Sequence, residues 1–433
     1  MTESSRNLWK YIGPGLCMAG AAIGVSHIMQ STRAGANYGF YLLVFVLLSN
    51  FFKYCAFESG HRYAAATGES LIEAYRKLGK WQLWAFECVT VITCIGSIAA
   101  VSYVTGALAW STWIKVFGAE LKIFGTYVIG IKEWSFAMMA LCLTILLAGH
   151  YSWLNNIIKY IMVLLAVATF VAFAAAAIHG PVGEPTEGAS PWNWAGFAFI
   201  IALMGWMPAP IEVSVFQSLW IQAKDRNDGQ HMSWREAKID FNIGYILTVV
   251  LAVVFISLGA WVMYGSGEEF ASSNVAFTQQ LVTLYTKHLG DWITPIIAFA
   301  AFAAMFSTTI TVVDGYPRTL AEGMRSLFPS LKMGPRPAHA VWLLFSCGVA
   351  CWIINYVDGD ADSLTRLVDI VTVIAFLTGP FFAGLNHAVV FGKHMPEESR
   401  PSKKMWILSW VSLIFLSAFT LVYIIARWGF DKI

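Results

Sequence analysis

IGPGLCMAGAAIGVSHIMQSTRAGANYGF, residues 12–40, is long and apolar enough to cross a bilayer, yet its middle, Gly20 to His27, is rich in glycine, alanine and serine and closes on a histidine. A continuous helix is weakened there, because each interior glycine costs about 1 kcal/mol relative to alanine. A second stretch, IIALMGWMPAPIEVSVFQSLW at 200–220, repeats the design: Gly205, Pro208 and Pro210 interrupt an apolar run, and Glu212 lies just past the interruption. Two interrupted apolar segments at corresponding places in two halves of a chain point to the binding site of a secondary transporter.

The chain has 433 residues, 58% hydrophobic and 12% charged, a composition that excludes an ordinary soluble domain and indicates a polytopic membrane protein. A net charge of +2, with the basic residues spread over short connections, gives no reason to expect nucleic acid as a partner. The expected partners are the lipid bilayer and a small inorganic cation or small solute; the sequence leaves the oligomer open, and no cofactor is implied. The seven cysteines (17, 55, 88, 94, 142, 347 and 351) form no CxxC pair and lie mostly in apolar runs, as reduced core residues do. MTESSRNLWKY, at the start, runs straight into the first apolar segment without a cleavage site and reads as a cytoplasmic leader.

A spanning helix needs about 20 mostly apolar residues. Eleven segments qualify: 12–31, 39–57, 83–108, 134–149, 155–178, 194–220, 240–263, 291–325, 338–356, 366–391 and 405–426, the fourth being the shortest. With the N-terminus inside, 17 of the lysines and arginines fall in inner connections and 7 in outer ones. That asymmetry supports a cytoplasmic N-terminus, an odd number of spans and an outside C-terminus, in a plasma (inner) membrane. Of the outer connections, 180–192 reads as irregular and Asn274 to Leu289 as helical. DGDAD, 358–362, alternates carboxylates as a calcium loop does, but Ser363 stands where that loop needs glycine, so Asp362 or Ser363 is expected to cap the tenth helix. Spans 1–5 (about 12–178) and 6–10 (about 194–391) share a rhythm with the broken helix first; five spans per half force the halves to face opposite ways, as an inverted repeat, with 405–426 added outside it.

Several motifs in this order resemble the NRAMP family of proton-coupled divalent metal transporters: GPGL at 13–16, the 17-residue separation to AGANYGF at 34–40, ATGESLIE at 66–73, Met207-Pro208, and Glu322-Gly323. The resemblance covers spans 1 to 10 and implies an all-α, LeuT-like 5+5 inverted repeat with helices 1 and 6 broken. It also implies a single transporter domain and alternating access. The family's first-span motif Asp-Pro-Gly-Asn, which supplies a metal carboxylate and amide, falls here on Gly24, Val25, Ser26 and His27. Its Met-Pro-His falls on Met207-Pro208-Ala209, which keeps the thioether and loses the proton-linked histidine, and its tenth-span glutamine position holds Thr372.

Candidate binding residues are therefore Gly24, Ser26, His27, Met204, Met207, Glu212 and Thr372, with His27, Met207 and Glu212 as candidate metal ligands. His27 could ligate a metal through a neutral imidazole nitrogen, carry a proton, or simply bond a neighbouring helix. Met204 and Met207 share a helix face, and a thioether favours softer ions. Glu212, the acid nearest the second interruption, is either a substitute for the missing aspartate or a helix cap. Ionisable residues within spans are expensive and usually paired or functional. Glu58 with Arg62, Glu87, Asp314 with Arg318, and Arg366 with Asp369 are either register-holding ion pairs or the proton pathway or gate that the resemblance implies. Arg33, beside Gln30, is either an outer gate or a charge that repels cations.

A secondary transporter of a divalent metal with proton coupling is the leading expectation. The same scaffold carrying a small organic solute, with Trp206 stacking on it, and a non-transporting sensor are the alternatives. No HExxH, His/Asp cluster or nucleophile motif supports an enzyme.

Overall fold

The computed structural model describes residues 12–123, 127–148, 151–181, 190–266, 280, 294–358 and 362–430. The first expected span is interrupted where glycine predicts it: α1 (Pro14–Ala22) ends at Ile23 and Gly24, and a π-helical stretch, Val25–Ser31, leads into α2 (Thr32–Tyr38). The sixth is interrupted where proline predicts it, because a proline inside a helix removes a donor and clashes with the preceding turn. There α8 (Trp194–Gly205) stops, and α9 (Val213–Asp228) starts beyond Glu212.

Between the broken pairs run α3 (Leu43–Thr67), the short α4 (Leu71–Leu78), α5 (Lys80–Phe117), α6 (Ile131–Ala148) and α7 (Tyr151–His179). After them come α10 (Trp234–Val262), α11 (Thr294–Leu327), α12 (Pro335–Val357), α13 (Ser363–Val390) and α14 (Lys403–Phe430). A small antiparallel hairpin joins α5 to α6, with Lys122 opposite Val128, so the chain is not helical throughout. Among the described residues, eight helices are long and apolar enough to cross a membrane. The broken pairs fall short in length and α3 in hydropathy, since Lys53 and Glu58 lie within it.

Local chemistry sets the helix ends. Ser70 with Glu73 and Ser233 with Glu236 form capping boxes at α4 and α10. The Asn193 side chain accepts the Gly196 amide at α8, and Gly68 and Gly118 end α3 and α5 in left-handed conformation. Asp362 takes the N-cap position of α13 without a side-chain cap bond. Asp358 accepts from Tyr103 at 3.0 Å and pairs with Lys132 at 3.4 Å; the rest of DGDAD before Asp362, and Asn274 to Leu289 except residue 280, lie outside the described residues.

Depth in the bundle sorts the helices. The most apolar window of α11 is 89% buried and that of α14 only 17%, so α11 is central and α14 peripheral. α11 packs along α5, α10 along both α1 and α2, α9 along α3, and α8 along α13. Both breaks are thereby held in the middle of the molecule.

Candidate functional site

A broken helix leaves carbonyl groups without intrahelical donors, and buried carbonyls must find partners. At the second break the partner is Lys53 of α3. Its Nζ donates to the carbonyls of Met204 at 2.7 Å, Gly205 at 2.8 Å and Ala209 at 3.3 Å. Ser49, one turn earlier, donates to the carbonyls of Met207 at 2.6 Å and Met204 at 3.2 Å. Lys53 is only 1% exposed. At the first break Thr308 of α11 donates to the Gly20 carbonyl at 2.7 Å, and Ser26 to that of Ala22 at 2.6 Å. Ser26 also reaches the Pro208 carbonyl at 3.3 Å and so joins the two breaks directly.

Between the breaks lies a cavity of about 20 Å³, lined among others by Ser26, Ser97, Trp206, Ala209, Thr308 and Tyr316. That is room for about one water molecule. Tyr316 donates to Glu212 Oε1 and lies 3.2 Å from the Ser97 hydroxyl. Among the described residues, Trp206 Nε1 is buried without a hydrogen-bond partner.

Gly24 has to be glycine: a Cβ would lie 2.2 Å from Thr308 Oγ1. A Cβ on Gly205 would likewise lie 2.0 Å from the Thr372 carbonyl oxygen. Both breaks are thus pressed against neighbouring helices, and Thr372 supplies backbone contact, its hydroxyl donating to the Asp369 carbonyl at 2.9 Å.

His27 is turned away from the cavity. Its Nε2 faces the Thr248 carbonyl at 3.0 Å, and its Nδ1 faces the Ala22 carbonyl at 3.0 Å and the Ser26 hydroxyl at 2.8 Å. Both ring nitrogens are occupied, which matches the helix-bonding reading of this residue and offers no nitrogen to a ligand. Met204 and Met207 are fully buried and do not line the cavity. Among the described residues, no group of three or more His, Cys, Asp or Glu side chains is assembled to hold a metal ion.

The charged residues expected in the spans sit in separate places. Glu58 and Arg62 pair at 2.5 Å and 2.8 Å; Arg62 also donates to the Ser399 carbonyl at 2.8 Å and lies 4.0 Å over the Trp234 ring. Asp314, fully buried, accepts from Arg318 at 2.5 Å and 2.9 Å and from Trp220 at 2.9 Å, and lies 3.6 Å from His339, thereby joining α9, α11 and α12. Glu87 is buried against the Gly323 backbone. Arg366 is exposed at the start of α13.

Asp369 engages the first broken helix. Its Oδ1 accepts from Gln30 at 2.9 Å and from Arg33 at 3.3 Å, and Arg33 also lies 5.1 Å over the Phe199 ring of α8. At the opposite end of that helix, Asp240 of α10 accepts the amides of Gly13 at 2.8 Å and Gly15 at 2.7 Å. His61 of α3 stands 3.3 Å from both Asp240 and Gln217 of α9. The cavity therefore lies between two sets of polar ties.

Lys53, Asp240 and His61 were not among the residues expected to matter. Lys53 had one readable sign: it is a lysine in mid-span with Ser49, Asn50, Ala56 and Phe57 as its helical neighbours, so its partner had to come from another helix.

Two facing broken helices around a central cavity, within a bundle of membrane-length helices, define a polytopic carrier of the LeuT-like class. The chain belongs to the Nramp family: the family described as Natural resistance-associated macrophage protein-like matches residues 15–426. An uncharacterized protein of Pasteurella multocida (strain Pm70) is 36% identical over 423 residues, covering 96% of this chain and 92% of that one. A protein of Populus trichocarpa described as metal transporter Nramp6.2 is 26% identical over 148 residues, 32% of this chain and 27% of its own length. In fold, the chain resembles a manganese transporter of Eremococcus coleocola, with TM-score 0.73 at 16% identity over 99% of this chain and 90% of that one. It also resembles MhsT in complex with L-phenylalanine, with TM-score 0.60 at 14% identity over 98% of each chain. Proteins of this family are transporters, not enzymes.

Proposed function

We propose that the protein is a secondary transporter working by alternating access, in which the cavity between the two breaks opens first at one end and then at the other. The observation that carries this reading is the pair of ties flanking one small cavity: Gln30 and Arg33 to Asp369 at one end, and Gly13 and Gly15 to Asp240 at the other. In this reading the chain crosses a plasma (inner) membrane eleven times. The repeats are about 12–178 and 194–391, 405–426 is an additional span, the N-terminus is cytoplasmic, and the Asp369 tie is the outer one. Family membership makes a divalent metal moved with protons the first cargo. The Eremococcus coleocola manganese transporter and the Populus trichocarpa metal transporter agree with that class. Glu212 is then the acid that takes the place of the family aspartate, with Met207 and Ser26 as the further candidate ligands. Glu58, Arg62, Glu87, Asp314, Arg318, Arg366 and Asp369 are the candidates for a proton route or gate.

One observation favours a second cargo class, a small organic solute. Among the described residues, no carboxylate lines the cavity, and Trp206 presents a buried indole N–H without an acceptor. A divalent cation needs anionic or several oxygen ligands to replace its water, whereas a polar organic molecule needs an acceptor for that donor. Uptake into proteoliposomes decides between them: Mn²⁺ accumulation driven by an acidic exterior supports the first cargo, and uptake of labelled small carboxylic or amino acids without Mn²⁺ supports the second. Specific ligand binding with no uptake of either would leave a sensor and remove the transport reading.

A further inference from the structure

We infer that Lys53 is a built-in substitute for a bound cation at the second break, fixing the break geometry so that no inorganic cation is required there. This inference uses the reading of the break as part of the cargo site, but its test does not require the cargo to be known.

The carbonyl end of α8 is where a cation is favoured, because the last carbonyls of a helix have no donors and carry the negative end of its dipole. The carbonyls of Met204 and Gly205 end α8, and the carbonyl of Ala209 comes from the interruption itself. An ammonium has three donors and no acceptor, and Lys53 Nζ has three carbonyl acceptors, at 2.7, 2.8 and 3.3 Å. The stem of Lys53 enters from α3, and Lys53 does not line the cavity whereas Ala209 does.

A buried ammonium is expensive unless it is hydrogen-bonded, and here its donors meet carbonyls that a continuous helix would not expose. A cargo cation consequently meets carbonyls already filled, and must be held by other groups or displace the lysine. Cargo recognition falls instead to the cavity face of the same break, at Trp206 and Pro208, and to Ser26 across it. Lys53 is a positioning residue: it acts on cargo through the shape of the 204–209 backbone.

The test is chemical rescue of the purified full-length protein. Lys53→Ala removes from the side chain the atoms of n-propylammonium, and Lys53→Met removes the charge while filling the space. The expected result is a lowered melting temperature in both variants, restored in Lys53→Ala by n-propylammonium and unaffected by it in Lys53→Met and in the unaltered protein. Na⁺ or K⁺ is expected to stabilise Lys53→Ala in part, giving it a cation dependence that the unaltered protein lacks. If Lys53→Ala does not accumulate, it is expressed with n-propylammonium in the medium, where recovery supports the inference and no recovery overturns it. A Lys53→Met protein that melts as the unaltered one does, or a Lys53→Ala protein blind to every added cation, also overturns it. Uptake measured in parallel keeps the readings apart: rescue without uptake by the unaltered protein leaves Lys53 as the resident cation and removes the transport reading.

Discussion

Asp240 closes the first turn of α1 through Gly15: its carboxylate spans the Gly13 and Gly15 amides, one oxygen to each, at 2.8 and 2.7 Å. A carboxylate at a helix start satisfies two orphan donors and answers the positive end of the helix dipole. Here the acid comes from another helix, so capping the first half-helix also anchors it to α10. Asp240→Asn keeps the shape but offers only one acceptor oxygen, so it is expected to loosen α1 by roughly 1–3 kcal/mol. Faster hydrogen exchange at residues 13–20, with little change at 294–327, would be the signature.

The tie at the other end is weaker by construction. The side chain of Asp369 is 36% exposed and that of Arg33 15%, which puts the pair in the range of roughly 0.2–1 kcal/mol. Asp369→Asn and Arg33→Gln are each expected to change uptake less than tenfold and to become less distinguishable from the unaltered protein as salt rises. A complete loss of uptake in either variant would give this pair a role beyond closing one end.

Gly24 makes a steric prediction with an internal control. Gly24→Ala places a methyl group 2.2 Å from Thr308 Oγ1 and 2.7 Å from Thr308 Cβ. Overpacking of this kind typically costs about 1–3 kcal/mol. Thr308→Ala removes the hydroxyl and methyl clashes but leaves the one with Cβ, so Gly24→Ala with Thr308→Ala is expected to recover part of the melting temperature, and Gly24→Ala with Thr308→Gly to recover more. Equal recovery in the two double variants contradicts the geometry.

Glu212 and Tyr316 form a buried hydrogen-bonded pair beside the cavity. Tyr316→Phe leaves the carboxylate with one donor fewer, while Glu212→Gln removes the charge. A double-mutant cycle on melting is expected to give a coupling of roughly 0.5–3 kcal/mol. If Glu212 also takes part in ion movement, Glu212→Gln flattens the pH dependence of uptake while Tyr316→Phe preserves it; a purely structural carboxylate would leave that dependence in both.

The sequence shows the interruptions because their cause is local. Glycine at 20, 24 and 205 and proline at 208 and 210 act on the backbone that contains them. Helix caps such as Ser70/Glu73 and Ser233/Glu236 are local for the same reason. The i,i+4 pairs Glu58–Arg62 and Asp314–Arg318 also form as their spacing implies. What fills the breaks is not local: Lys53 meets carbonyls more than 150 residues away, and Asp240 meets amides more than 220 residues away. His27 shows the same limit in reverse. Its place in the break was readable, but its orientation toward Thr248 depends on where α10 crosses.

The first broken rod is tied at both of its ends, through Arg33 at one and the Gly13–Gly15 turn at the other, and the proposed mechanism makes each tie a door. Ile23 and Gly24 form a joint between them, and in the alternating-access reading this lets one door be unlatched without dragging the other ajar. In the alternating-access reading that joint keeps the two sides of the membrane from ever sharing a continuous channel, as an airlock does with both doors hung on a single jointed post.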